Sequence, residues 1–420
     1  MKRWTGLAAA ALACAGLSGC MLADAFTKPF DRPEPAAEEP AEAPAPRRDP
    51  VDPEEKRQMG FHYDPQLFQE GAYRPDELEN MITSTGFDGI SQQTFAEGGG
   101  DYDVDVDRTG KRMAFATTRY SRNPDIVTQS VAGKTVTLYT SDPASDMMPK
   151  FSPDGDQIAW CSNRYGNWDI LVAAADRTPR TRPRQLTRSA EDEIHPSWSP
   201  DGRLLAFSRY SSMDGIWRIW VLDMQTRFMS AVTEGLFPEF RPVAEAGPDG
   251  RMLYTLVYQK HRERRVPWYG IWTIPLVVDD NGAVELAGAP RDVVFSDQWA
   301  AINPCWSPDG HYIAFASVRK SPGAQWEARI YKADDIWVVH EQGEDLTQIT
   351  SHSAPDWGPA WGPDPANGSR PGRLFFHSLR NGHENVWSLQ PVVAGMVAHA
   401  SPMPEEAEGA TAPDEAMPAE

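Results

Sequence analysis

Short apolar runs punctuate the middle of the chain: MAFA from Met113, IAWC from Ile158, LAFS from Leu205 and IAFA from Ile313, with LYTL from Leu253 and LFFH from Leu374. Runs this short between polar turn residues have the length of strands, not of helices. Each begins two or three residues after a glycine, at Gly110, Gly155, Gly202, Gly250, Gly310 and Gly372, and those glycines stand 45 to 62 residues apart. The clearest copies read Ser-Pro-Asp-Gly. In that turn Pro presets φ at the second position, Asp suits the third, and Gly takes the left-handed conformation that closes a hairpin. A third strand follows, marked by Ile126, Ile170, Ile219, Ile271, Ile336 and Val386. A fourth is visible in LYT at Leu138, QLT at Gln185, AVT at Ala231, DVVF at Asp292 and QIT at Gln348.

Four short antiparallel strands repeated six times predict an all-β, six-bladed β-propeller. Only five fourth strands follow their hairpins. The segment from Gln93 to Gly110 superposes without a gap on that from Gln185 to Gly202, so an orphan fourth strand precedes the first hairpin. The expectation is that this N-terminal strand completes the last blade and closes the ring, with the propeller spanning 88–395 and a short lead-in at 61–87. Phe151, Trp198, Trp306 and Trp361, just before the turns, are expected to pack between blades. Cys161 falls in the second blade and Cys305 in the fifth, too far apart for a disulfide, so both should be buried free thiols.

The ends of the chain are of another kind. Lys2 and Arg3 precede a short apolar run that stops at small residues, the pattern of a signal peptide over 1–19. Leu17-Ser18-Gly19-Cys20 resembles the bacterial lipobox. That resemblance implies that Cys20 is acylated and, with Met21 following it, that the protein is held at the periplasmic face of the outer membrane. Residues 20–60 carry Pro, Ala and Glu with few large apolar side chains and are read as a tether; 396–420 are read as a disordered acidic tail. The formal charge of -20 argues against nucleic acid as a partner, and the basic run KHRERR from Lys260 is read as an exposed loop. The membrane is expected to be met through the lipid anchor only.

The units DMMPKFSPDGDQIAWCSNR and EIHPSWSPDGRLLAFSRY resemble the WD40-like, or PD40, repeat of TolB-type propellers. The resemblance implies a periplasmic protein of Tol-Pal type whose propeller binds a peptidoglycan-associated lipoprotein. About 30 residues separate the tether from the first propeller strand, too few for the N-terminal α/β domain of TolB.

Candidate chemistry is sparse. Neither G-x-S-x-G nor HExxH occurs after Cys20, and the alternation of DYDVDVD from Asp101 fits an innermost strand better than a calcium loop. Three residues before the first-strand proline or its equivalent stand Asp101, Asp146, Glu193, Glu239 and Asp356, with Ala301 in the fifth blade. These acids, with Asp103 and His195, are expected near one mouth of the central channel, either as a ring that receives a basic partner or as caps of their own turns. No metal, cofactor or catalytic residue is assigned. The leading expectation is a non-enzymatic envelope scaffold that binds a protein or peptide. The alternative is a propeller enzyme acting on a polysaccharide, a lyase or glycosidase with Asp103, His195 and Asp356 as suspects; it would need two carboxylates or three metal ligands converging within a few ångströms.

Overall fold

The computed structural model describes residues 87–176, 182–247, 250–261, 269–279, 281–296, 299–320, 331–364 and 372–393. The leader, Cys20, the tether, most of the lead-in and the acidic tail lie outside them, as does most of KHRERR.

Every described strand belongs to one of six antiparallel sheets. β1 (Phe87–Gln92) stands apart in sequence from its sheet. Blade one follows as β2 (Asp101–Val106), β3 (Arg112–Thr117), β4 (Asp125–Ser130) and β5 (Val136–Leu138). Blade two is β6 (Asp146–Phe151), β7 (Gln157–Ser162), β8 (Asp169–Ala174) and β9 (Arg184–Gln185); blade three is β10 (Glu193–Trp198), β11 (Leu204–Ser211), β12 (Ile216–Asp223) and β13 (Met229–Glu234). Blade four has six strands: β14 (Leu236–Phe240), β15 (Glu245–Ala246), β16 (Met252–His261), β17 (Tyr269–Val278), β18 (Val284–Leu286) and β19 (Arg291–Val294). Its extra strands lie at the open end of the β16–β17 pair, where β15 pairs with Met252 and Leu253 and β18 with Leu276 to Val278. Blade five is β20 (Trp299–Trp306), β21 (Tyr312–Lys320), β22 (Tyr331–His340) and β23 (Thr347–Gln348), and blade six β24 (Asp356–Gly362), β25 (Arg373–Ser378) and β26 (Asn385–Pro391). β1 pairs antiparallel with β26, with Ser91 opposite Ser388. The innermost strands touch in order, β2, β6, β10, β14, β20, β24 and back to β2.

The turns work as their residues dictate. In the three Ser-Pro-Asp-Gly copies the Ser carbonyl accepts from the Gly N–H at 2.8–2.9 Å, and the glycines sit at φ +75°, +71° and +75°. Each Ser hydroxyl donates to the Asp of its own turn and accepts the N–H that opens the next strand, as in Ser199 with Asp201 and Leu204. Two of these glycines meet an arginine of the preceding blade: Arg112 donates to Gly155 O and Arg241 to Gly310 O. A side chain there would strain the backbone and strike the guanidinium.

Blades adhere through apolar faces and through bonds to backbone. The second and third strands are the driest: Ile158 to Cys161 and Ile313 to Ala316 are fully or almost fully buried. The pre-turn Trp198 and Trp306 pack at the seams and donate their indole N–H to the carbonyls of Lys150 and Glu239 in the preceding blade. Asp105, Ser197 and Glu239 return the pattern, accepting from the N–H groups of Phe151, Phe240 and Trp306 in the next blade. Each such bond contributes about 1 kcal/mol, and losing one strands a buried group at greater cost. Cys161 and Cys305 are buried and unbridged.

A threonine gives the fourth strand the same anchor in four of the blades. Thr140, Thr187 and Thr350 accept through Oγ1 the N–H of Ile126, Ile170 and Ile336. Thr94, just after β1, does this for Val386 in blade six. Thr94 therefore matches Thr187, one residue away from its place in the gapless superposition.

The central channel as candidate functional site

Each innermost strand carries a register shift, and at each shift one residue is left-handed: Asp103, Met148, His195, Phe237, Asn303 and Gly358. A bulge of this kind re-aims a side chain, and for non-glycine residues it costs roughly 1–2 kcal/mol per position. The six bulges give the register that compares blades, and three levels of residues follow from it.

The first level is two residues before the bulge: Asp101, Asp146, Glu193, Gly235, Ala301 and Asp356. Glu239 is not among them. Blade four offers two prolines, Pro238 and Pro242; the equivalent of Pro196 is Pro238, which puts Gly235 at this level and Glu239 four residues further on. Gly235 is required here, since a Cβ would lie 2.6 Å from the Tyr258 ring.

The four carboxylates at this level do not form a free acidic ring. All are fully buried, and each is neutralised by an arginine from the end of its own blade's second strand. Arg119 holds Asp101 through Nε at 2.9 Å and through Nη2. Arg164 holds Asp146 at 2.9 Å, Arg209 holds Glu193 at 2.6 Å and Arg380 holds Asp356 at 2.6 Å. Arg209 also lies over the Trp220 ring and Arg380 over Trp387. Burial raises the Asp146 carboxyl above its usual range, with Arg164 opposing. Carboxylates enclosed in this way brace the blade, and what faces outward beside them is guanidinium.

The bulge level holds polar atoms with no partner. Asp103 Oδ2, both ring nitrogens of His195, and His377 Nε2 are buried without a hydrogen bond among the described residues. Burial pushes Asp103 up to about 6, with His377 opposing and Glu384 adding to the rise. Burial holds His195 down to about 3, assisted by Lys150, and the ring lies 3.5 Å from that of Phe237 in the next blade. His377, on the second strand of blade six, was not singled out from the sequence; Gly358 makes room for it, because a Cβ there would stand 2.0 Å from Nε2. Its Nδ1 meets Glu384 at 3.1 Å, and burial holds its pKa down to about 4 against the pull of Asp103 and Asp356.

The third level, Asp105, Lys150, Ser197, Glu239, Cys305 and Ala360, contains a crossing ion pair. Lys150 Nζ reaches Asp105 in blade one at 3.1 Å and Glu239 in blade four at 3.3 Å. Burial lowers the proton affinity of the ammonium; the two carboxylates outweigh it and raise its pKa. Beyond it, at the turn-side mouth, Arg108 of blade one donates to Pro242 O of blade four at 3.2 Å. Cations thus span the channel at its turn end.

The two carboxylates that approach each other, Asp105 and Glu239, share one ammonium, and Asp103, Asp356 and His195 do not converge as a metal set. Among the described residues no group of three His, Cys, Asp or Glu is arranged to hold a metal ion. The Cys161 and Cys305 thiols are driven well above their usual pKa by burial, which keeps them from acting as nucleophiles.

A six-bladed propeller with an internally neutralised, cation-crossed channel is the class these features define. Residues 106–269 match the family PD40, TolB beta propeller domain. A TolB homologue of Chlorobium luteolum is 30% identical over 168 residues, which are 39% of this chain and 32% of the homologue. An uncharacterized protein of Agrobacterium fabrum is 28% identical over 175 residues, 41% of this chain and 54% of that protein. The chain thus spans about half the length of one of these relatives and a third of the other. Among solved structures, an oligogalacturonate lyase of Vibrio parahaemolyticus aligns with 72% of this chain and 93% of its own, at 12% identity and a TM-score of 0.44.

Proposed function

We propose that this chain is a non-enzymatic, TolB-like scaffold of the bacterial cell envelope, held at the periplasmic face of the outer membrane by a lipid on Cys20 and binding an envelope protein or peptide. The observation that carries the reading is the channel itself, on a propeller of TolB type: Asp101, Asp146, Glu193 and Asp356 are each held by an arginine, and Asp105 and Glu239 by Lys150, so that of these acids and Asp103 only Asp103 is held by no cation among the described residues, where a glycosidase needs two carboxylates placed for the reaction. The partner is of the peptidoglycan-associated lipoprotein kind, met through protein contacts, with no nucleic acid involved. At the channel mouth it meets Asp103, His195 and Glu239, while Asp101, Asp146, Glu193 and Asp356 stand behind as braces.

Three measurements test this. Cys20→Ala is expected to move the protein from the membrane fraction to the soluble periplasm; a variant that stays with membranes removes the anchor from the proposal. Crosslinking in intact cells, followed by identification of the adducts, is expected to return one predominant envelope protein. Turnover of an oligosaccharide by purified protein, abolished by Asp103→Asn, would replace the scaffold reading with the enzymatic one.

A further inference from the structure

Besides KHRERR, this acidic chain carries a second basic stretch: Arg177, Arg180, Arg182, Arg184 and Arg188 occur within twelve residues, broken up by Thr and Pro, while the whole chain bears -20. Arg182, Arg184 and Arg188 are described and exposed, and none of the three forms an ion pair among the described residues. The turn between β12 and β13 brings a fourth guanidinium, Arg227 of blade three. Arg227 is left-handed, at φ +64°, in a position where glycine costs less. Its Nη2 donates to Leu186 O at 3.1 Å, tying blade three to blade two, and its Nη1 stands 4.0 Å from Met224 Sδ. Burial and then the charges of Arg184 and Arg188 lower the proton affinity of Arg227, so these cations sit close enough to repel one another.

Beside them is a cavity. The seam between the turns of blades two and three forms an open cleft of about 550 Å³. Trp198, Met224, Pro153 and Pro200 supply its apolar wall, and Arg184 supplies the edge nearest the basic cluster. Asp154 and Asp201 also line it, bonded to neutral donors and paired with no cation among the described residues, Asp154 to Ser152 and the Asp156 N–H and Asp201 to Ser199 and Tyr254, so the acidic groups of a ligand are confined to the arginine edge. Exposed Phe228, 49% accessible, continues the apolar surface past Arg227.

We infer that this seam of blades two and three is a docking surface for an extended acidic peptide segment of a partner protein, its carboxylates on Arg184, Arg188 and Arg227 and one apolar side chain in the cavity over Trp198 and Met224. Charge complementarity chooses the occupant: guanidinium forks match carboxylates, and the apolar wall has no use for a bare anion. Nucleic acid would have to approach a chain whose remaining surface repels it. The inference rests on the scaffold reading and gives it a place and a partner chemistry.

The test uses the full mature chain and two labelled peptides about twelve residues long: one of Glu, Pro and Ala with a single central Leu, and its counterpart with Gln for every Glu. The Glu peptide is expected to bind at micromolar Kd, at least tenfold tighter than the Gln peptide, and to weaken as salt rises. Arg184→Glu with Arg188→Glu is expected to abolish that preference. Arg227→Gly, which suits the left-handed turn and keeps the fold, is expected to reduce it severalfold. Equal binding of the two peptides, or unchanged binding by the charge-reversed variant, overturns the proposal. So does failure to bind the Glu peptide while vesicles of phosphatidylglycerol bind through the same arginines. Crosslinking in cells separates the two levels: a charge-reversed variant that still captures the wild-type partner defeats this surface alone, whereas a wild-type chain that captures no envelope protein defeats the scaffold.

Discussion

Lys150 on the innermost strand of blade two and Glu239 on that of blade four meet across the channel, Nζ 3.3 Å from Oε2, without any strand of blade three between them. The same ammonium holds Asp105 of blade one, so one cation joins three blades that are not all neighbours.

Replacing that cation should cost more than its surface position suggests. Lys150→Met leaves Asp105 and Glu239 facing each other in a place where burial already raises the Glu239 carboxyl. Breaking a fully buried pair costs about 3–5 kcal/mol; with the lysine side chain 27% exposed, a loss of roughly 2–3 kcal/mol is expected. Urea unfolding at pH 7 measures it. The double variant Lys150→Met with Glu239→Gln should recover at least half the loss, and a single variant as stable as wild type would show the crossing pair to be idle.

Asp169 sets a pH dependence of definite sign. Its Oδ2 accepts from Gln185 at 3.0 Å and its Oδ1 has no partner. Burial, with Glu193 second, lifts its pKa to about 7. The folded state therefore keeps a proton that the unfolded chain gives up near pH 4, so the contribution of Asp169 to stability is greatest below about pH 4 and declines as pH climbs to 7. Blade six carries Asn385 at this place. Asp169→Asn should match wild type at pH 4 and exceed it at pH 8 by on the order of 2–4 kcal/mol. Thermal melts across that range check both halves, and an equal gain at pH 4 would exclude titration as the cause.

The pairing of β1 with β26 is expected to hold the ring closed. Removing residues 87–96 takes away the ladder on β26 and the Thr94 bonds to Val386 and Asn385, and a fall of roughly 10 °C in Tm is expected. Ser91 and Ser388 face each other with hydroxyls 3.2 Å apart. Ser91→Cys with Ser388→Cys, oxidised, should slow unfolding several-fold relative to the reduced protein. Unchanged melting of the deletion variant would assign closure to the innermost strands alone.

The blades were legible in the sequence because turn chemistry is local. Ser, Pro, Asp and Gly fold their own hairpin wherever they stand, so six glycines counted six sheets. The site was only partly legible because it depends on register between distant strands. Glu239 was placed with the buried acids by taking Pro242 for the first-strand proline, and only the bulge at Phe237 shows that Pro238 holds that office. The arginine partners were in plain sight: the repeat begins with an acid and ends with Arg, as in Asp146 and Arg164, yet nothing in one strand says that its end returns to the start of another. His377 carried no sequence signal, since its role comes from the space above Gly358. The arginines from 177 to 188 were hidden by the Thr and Pro between them.

Because each of the four buried acids finds its arginine inside its own sheet, a blade is complete in charge by itself, and the seams ask mostly for a backbone carbonyl or N–H, which every residue supplies. A copy of such a unit can be inserted, lost or moved along a gene without orphaning an ion in the interior. The ring is in this sense built to be counted differently by its descendants, and Lys150, which binds blades one, two and four together, marks where this particular chain has given up that freedom.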